Sequence, residues 1–360
     1  MIVRKNGELM HMHKLLDCTL RDGSYAVDFQ FTTTDTENIV QELDDAGFPY
    51  IEIGHGIGLG ASERGKNIAA ASDTDYMKAA VKSIKKSKWG MFCIPGIAKL
   101  DHIKIAADFG INFLRMGSDV NEINASLPFI ELARKLNIEV YANFMKSYVL
   151  TPLEFARLAK KSYDFGAQLI YLVDSAGSML PNEIKTYLKI TREESPNIPL
   201  GFHGHNNLGL AVANSLVCVE EGVSMIDVSL QGLGRSSGNT PTEQFVSALS
   251  RAGYKQDIDP IKTMHLGEIF IRKKIERRGL CSLDTVAGLA QFHSSYMPTI
   301  LSAAKKYSID PRVLIIELCR HTKINAPKDL IEKIASTLEV KPFTEDSLPW
   351  PNYYGEEQSF

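Results

Sequence analysis

Short apolar runs alternate with longer helical stretches over the first two-thirds of the sequence, and this rhythm limits the fold more than any other feature. The strand-like runs are Lys14–Thr19, Tyr50–Gly54, Trp89–Ile94, Asn112–Gly117, Glu139–Met145, Gln168–Asp174, Leu200–His205 and Met225–Gly232. Between them lie segments such as Thr32–Gly47, where Ile39, Leu43 and Ala46 recur at helical spacing behind a Thr/Asp-rich cap. Leu153–Gly166 is another, closed by a glycine suited to a helix C-terminus. About eight βα units in succession predict an α/β fold, a closed (β/α)8 TIM barrel, more readily than an open sheet. From about Asp259 the strand signal fades and helical patterns continue. The expected organisation is a barrel over 1–258, a helical C-terminal domain over 259–345, and an extended Pro-rich, acidic and aromatic tail over 346–360.

Charge and cysteine usage narrow the function classes. A formal net charge of −3 argues against a general nucleic-acid binder. The basic clusters Lys82–Lys88 and Ile271–Arg278 read as solvated helix faces. No run approaches the ~18–20 apolar residues of a membrane span, and MIVRKNGELM lacks the apolar core of a signal peptide. Five scattered cysteines without a CxxC fit a reducing cytoplasm.

Chemistry in a barrel sits at the carboxyl ends of its strands. His203 and His205 stand at the end of the seventh run, and side chains two apart on a strand point the same way. Two imidazoles there form half of a divalent metal site. Closure of the barrel brings the first run near the seventh, so Asp22 of DCTLRDG supplies an oxygen ligand. Two histidines and one carboxylate leave positions open for substrate and suit Mn²⁺, Mg²⁺, Co²⁺ or Zn²⁺. An isolated HxH more often marks two packed histidines. Asp22, DSAG (Asp174–Gly177) and GLGRSSGN (Gly232–Asn239), all at strand ends, favour the metal reading.

LLDCTLRDG, GFHGHNNLGLA and the late SGN resemble the DRE-TIM metallolyase superfamily. IEIGHGIGLGAS (Ile51–Ser62) and Gly288–His321 resemble its 4-hydroxy-2-oxovalerate aldolase branch, a barrel with a helical C-terminal domain. The resemblance spans roughly residues 13–340. It implies a class II pyruvate aldolase acting on a 2-oxo acid and an aldehyde. The metal, Mn²⁺ first, would be held by Asp22, His203 and His205, and Asn239 matches a ligand position of some relatives. Arg21 matches the arginine that steadies the enolate. An aldehyde dehydrogenase partner and a homo-oligomer are further implications.

The departures from that pattern are specific. Tyr25 stands where the family has the histidine base, and His293 stands where it has a tyrosine. Ile57 replaces an acidic residue, and Arg235 occupies a loop position that is usually small, where it can meet an anionic substrate tail. The paired exchange predicts that a C-terminal helix reaches over the barrel mouth and that His293 acts as base, directly or through the Tyr25 hydroxyl. Competing readings are a Claisen-type acyl-CoA lyase or synthase, a metal-binding homologue without catalysis, and a Schiff-base aldolase using Lys146.

Overall fold

The computed structural model describes residues 2–5, 8–11, 13–65, 67–120, 123–275, 281–340 and 352–354. A two-stranded antiparallel hairpin, β1 (Ile2–Lys5) and β2 (Glu8–His11), precedes the barrel. The barrel strands are β3 (Lys14–Asp17), β4 (Tyr50–Ile53), β5 (Lys88–Cys93), β6 (Phe113–Asp119), β7 (Glu139–Met145), β8 (Leu169–Asp174), β9 (Leu200–Gly204) and β10 (Met225–Val228). All pair in parallel and in sequence order, and β10 closes on β3 with Asp227 opposite Leu16. Each strand-like run of the sequence is thus a barrel strand.

Alternation along each strand divides two cores. Ile170 and Leu172 face outward to the helices, whereas Tyr171 and Val173 join Leu16, Tyr50, Phe113 and Tyr141 inside the barrel. The same count turns Glu52, Arg115, Asn143 and Asp227 inward, because both neighbours of each belong to the outer core. Surrounding helices start where their caps dictate. Thr32 and Asp35 form a reciprocal capping box ahead of helix Thr33–Asp45. Gly166, at φ +110°, ends helix Pro152–Phe165 in the left-handed region, where a side chain would be strained.

Beyond the barrel, helices Ser282–Ala290, Met297–Tyr307, Pro311–His321 and Lys328–Ala335 enclose a second apolar core around Leu283, Met297, Ile300, Leu314, Leu318 and Ile331. Most of the expected tail, and residues 276–280 and 341–345 of the expected helical domain, lie outside the described residues. Asn352–Tyr354 are described, and they dock on both the barrel and helix Ser282–Ala290. The Tyr354 ring packs 4.9 Å from Phe29 and 6.1 Å from Tyr25, centroid to centroid. Tyr353 donates its hydroxyl to Asp284 at 2.9 Å. Among the described residues no helix is long and apolar enough to cross a membrane.

Candidate active site

The segment after β3 turns sharply because Asp17 caps it: Thr19 donates its amide and hydroxyl to the Asp17 carboxylate at 2.9 and 3.0 Å. The Asp22 amide then bonds Cys18 O at 2.9 Å and starts the 3₁₀ helix Asp22–Val27. Arg21 and Asp22 are thereby set over the barrel's carboxyl face. On the far side, the loop after β10 folds back onto the end of β9. Asn206 N–H bonds Gly238 O, and Asn239 N–H bonds Gly232 O, both at 2.9 Å. This fold-back needs glycine. Gly238 has φ +81°, and a Cβ there would collide with Gly232 O. A Cβ on Gly234 would strike the Asn239 amide and lie 2.8 Å from Asp22 Oδ2.

Asp22, His203 and His205 meet as the sequence predicts, with ligand atoms within 4.8 Å of one another and all three side chains buried. His203 Nδ1 lies 2.8 Å from Asp227 Oδ2, and His205 Nδ1 lies 3.3 Å from Gly238 O. Acceptors at both Nδ1 atoms fix the tautomers and leave the lone pair of each ring on Nε2, where a cation could be held. Asn239 gives its Nδ2 to Asp22 at 2.9 Å, while its buried Oδ1 has no protein partner among the described residues. Two imidazoles, a carboxylate and an unclaimed amide oxygen fit a divalent cation. Burial would raise the Asp22 pKa, but Arg21, the two imidazoles and Arg235 outweigh it and hold the carboxyl well below its usual range. Burial pushes His205 down to about 3 against the pull of Asp22, so the ring is neutral and ready to ligate. Cys18, His203 and Asp227 also cluster, one layer lower. There the Cys18 thiol donates to Val228 O and burial raises its pKa, so this group is structural.

Beneath the ligands runs a buried chain of charges that the sequence reading missed. Asp227 Oδ2 accepts from His203 and also pairs with Arg115 Nη2 at 2.6 Å. Arg115 Nη1 reaches Glu52 Oε2 at 3.0 Å, and the same oxygen accepts Arg21 Nε at 2.8 Å. Asn143 Oδ1 takes a further Arg115 bond at 3.1 Å. Arg21 Nη1 closes the chain on Asp22 Oδ1 at 2.6 Å, and its guanidinium stacks on Phe92, 4.6 Å from the ring centroid. Its remaining nitrogen, Nη2, is buried without a protein acceptor among the described residues. The signal for these residues was a charged letter inside an apolar strand run, as in YIEIG, NFLRMG and MIDVSLQG.

The exchanged pair lies at the mouth in an arrangement that differs from expectation. His293 is not on a helix reaching over the barrel. The chain breaks at Gln291, with φ +58°, and His293 caps the short turn Ser294–Tyr296. Its Nε2 lies 3.0 Å from Arg235 Nη2 and its Nδ1 lies 2.6 Å from Ser295 Oγ. Obligate donors face both ring nitrogens, Arg235 at Nε2 and the Ser295 amide at Nδ1, 3.3 Å away; the Arg235 contact is the shorter, so Nε2 takes the lone pair and Nδ1 turns its proton to Ser295 Oγ. Burial, then Arg235, Lys146 and His205, keep the ring's pKa well below 6.5. The Arg235 guanidinium also lies 5.6 Å from the Tyr25 ring centroid, so this arginine links the two exchanged residues. Ile57 joins Tyr25 and Phe29 in a small apolar cluster, which gives the second departure a packing role. Lys146 is buried, with Nζ 3.0 Å from Asp119 and 3.1 Å from Ile324 O. Those bonds make Lys146 a tether between β7 and the C-terminal helices, which disfavours a Schiff base.

Residues 12–270 match the HMGL-like family. The 4-hydroxy-2-oxovalerate aldolase of Geobacillus genomosp. 3 is 36% identical over 326 residues, 90% of this chain and 96% of that protein. The protein of the same name from Pseudomonas putida is 35% identical over 332 residues, 92% of this chain and 95% of its own length. In fold, the chain is similar to the carboxyl transferase domain of Rhizobium etli pyruvate carboxylase, with a TM-score of 0.75 at 17% identity over 91% of this chain and 61% of that one.

Proposed function

The chain belongs to the HMGL-like family, and from that membership we propose that it is a divalent-metal-dependent aldolase interconverting a 4-hydroxy-2-oxo acid with pyruvate and an aldehyde. The observation that carries this reading is the meeting of Asp22, His203 and His205 beside Arg21, whose buried Nη2 has no protein acceptor among the described residues. The relatives named above favour the aldolase over the acyl-CoA reading and over a non-catalytic homologue.

Asp22, His203 and His205 would hold the cation, with Asn239 Oδ1 as a further donor. The donor set suits Mn²⁺, Mg²⁺, Co²⁺ or Zn²⁺, and in this reading Mn²⁺ comes first because of the resemblance to the metallolyases. When bound, the cation supplies Lewis-acid charge for the carboxylate and 2-oxo oxygens of the substrate. Arg21 Nη2 donates to the C2 oxygen as negative charge develops there. His293 Nε2 takes the proton of the 4-hydroxyl. The C3–C4 bond breaks, its electron pair forms the C2–C3 enolate, and the carbonyl of the aldehyde forms at C4. Return of the proton to C3 completes pyruvate. Tyr25 walls the same space, and Arg235 must leave His293 Nε2 before that lone pair can act. In this reading the barrel over 1–258 carries the metal and 259–345 contributes His293. The reading extends to an aldehyde dehydrogenase partner, a homo-oligomer and a cytoplasmic location; the free, buried cysteines support the last.

The test is exchange of the C3 hydrogens of pyruvate in D₂O, followed by NMR on the Mn²⁺-loaded protein. Exchange without acetyl-CoA, abolished by a chelator and restored by Mn²⁺, is expected. Exchange that requires acetyl-CoA would move the protein to the Claisen-type class. Borohydride trapping of pyruvate on Lys146 would replace the metal mechanism.

A further inference from the structure

The resemblance to the aldolases runs to about residue 340, and the tail beyond it has no part in the chemistry above. Yet its described residues, Asn352–Tyr354, stand at the mouth of the site. They line a cavity of about 690 Å³ together with Tyr25, Val27, Ile275 and the loop Gly232–Gly238. That volume takes a molecule well beyond a two-carbon aldehyde. The inner side of the cavity borders the metal ligands. Tyr25 belongs to the 3₁₀ helix that begins at Asp22, and the Arg235 amide bonds Asp22 Oδ2 at 3.2 Å. The tail and the cover of the ligands are thus walls of one cavity.

Two anchors on different parts of the fold hold the tail there. Tyr353 gives its hydroxyl to Asp284, on helix Ser282–Ala290. Tyr354 gives its hydroxyl to Asp28, and Asn352 Nδ2 donates to the same oxygen at 3.3 Å. The Tyr354 ring packs on Phe29 and Tyr25 and joins their apolar cluster. A phenol has one proton to donate, and in both residues a carboxylate takes it. What the two tyrosines add to the cavity wall is therefore ring surface. The charged side chains of the wall are engaged as well. Lys274 pairs with Asp35 at 2.9 Å, Asp28 and Asp284 accept the tyrosine hydroxyls, and Arg235 contacts His293.

We propose that Tyr353 and Tyr354 are specificity-determining residues, which form the outer wall of the aldehyde subsite and select an aldehyde with an apolar body of several carbons beyond its carbonyl. The inference rests on the aldolase reading and deepens it by naming the substrate class. In aldol cleavage the pyruvate half of the substrate occupies the metal ligands and Arg21. C4 carries the hydroxyl that His293 deprotonates, and His293 Nε2 lies against Arg235, which lines the cavity. The substituent on C4 continues from there into the cavity, toward the rings of the tail. Ring surface holds hydrocarbon because both leave water on contact.

The experiment uses the full-length Mn²⁺-loaded protein and follows addition of pyruvate to propanal, butanal, pentanal and hexanal. The readout is the ratio of kcat/KM for hexanal to that for propanal, taken within one protein so that a general loss of activity or of folded protein cancels. A methylene moved from water onto apolar surface is worth up to about 4-fold, so a wall that is partly polar should give a wild-type ratio of about 10- to 50-fold, rising with each carbon. Replacing both residues, Tyr353→Ala with Tyr354→Ala, should cut that ratio by about 5-fold or more, and each single replacement should cut it by less. Tyr353→Phe with Tyr354→Phe keeps the rings and should stay within about 2-fold of the wild-type ratio. A wild-type ratio within about 3-fold of 1, a ratio that survives the double alanine change, or an equal fall in the double phenylalanine variant overturns the inference while pyruvate exchange still stands. Absence of pyruvate exchange in the wild type overturns the aldolase reading and this inference together.

Discussion

Replacing Asp227 with asparagine changes the charge of the buried network and leaves its shape. One carboxylate oxygen, Oδ2, accepts both His203 Nδ1 at 2.8 Å and Arg115 Nη2 at 2.6 Å. An amide oxygen can occupy the same place and keep both bonds, but as a neutral acceptor. Charge-assisted bonds are about twice as strong as neutral ones, so the pair loses about 2–3 kcal/mol. The new NH₂ group then points where Asp227 Oδ1 now has no partner among the described residues, which adds about 1 kcal/mol or more for a buried unmet donor. Arg115 and Arg21 are also left to share Glu52. The metal-free protein should therefore lose about 3–5 kcal/mol in urea unfolding, the usual effect of removing one partner from a buried ion pair. His203 also loses the charged acceptor that orients its ring, so Mn²⁺ affinity should fall by about 10- to 100-fold if His203 holds the ion. Free Mn²⁺ measured by EPR during titration reads the affinity directly. A variant destabilised as expected but binding Mn²⁺ within about 3-fold of wild type would show that Asp227 does not act through the metal. Unchanged stability would refute the energetic account of the network itself.

Arg21→Lys keeps the positive charge but not the three-way donation to Glu52, Asp22 and the substrate oxygen. It should lower kcat by about 10²- to 10³-fold while Mn²⁺ affinity changes far less, and near-normal turnover would remove Arg21 from the chemistry. His293 has a folded pKa depressed well below the unfolded value of about 6.5. Its contribution to stability is therefore complete above pH 6.5 and declines as pH falls from there toward the folded pKa, where the unfolded chain binds the extra proton. Urea midpoints of the metal-free wild type should accordingly drop more steeply from pH 7 to pH 5 than those of His293→Gln; parallel curves would contradict the assignment. Tyr354→Ala removes two aromatic contacts, to Phe29 and Tyr25, each worth about 0.5–1.5 kcal/mol. A loss of about 1–2 kcal/mol in urea unfolding is expected, and no loss would mean that the tail does not dock in solution.

The barrel was legible because its strands are short, apolar and buried on both faces, and because glycines and caps separate them from the helices. The pairing of the two imidazoles was legible for a related reason: strand alternation makes His203 and His205 converge without knowledge of any partner strand. The network beneath them was not. Linking Asp227 to Arg115 and Arg115 to Glu52 requires the register of strands 112 and 63 residues apart, and one sequence shows only that each strand carries an odd charged letter. At the mouth the sequence drew attention to Tyr25, His293 and Arg235 separately. Their mutual contact depends on a loop after β10 meeting a turn 58 residues later. The break at Gln291 was masked by helix-compatible residues on both sides, although the Ser-Ser pair and Pro298 mark a new helix start. The tail's composition suits solvent, and nothing local reveals that its tyrosines find Phe29 and Asp284.

The alternating charges from Asp227 through Arg115 and Glu52 to Arg21 also bear on how such a protein can diverge. Any single replacement along the chain strands an unmatched charge in the barrel interior, at about 3–5 kcal/mol, a large fraction of the whole stability of a domain. Only coordinated multiple changes would cross that barrier without unfolding the protein. Stepwise mutation is thus blocked at the floor of the site and open at its rim, where Tyr25, Ile57, Arg235 and His293 sit on loops and turns. New substrates can be acquired there one residue at a time, while Asp22, His203, His205 and Arg21, which rest on that chain, are inherited as a block.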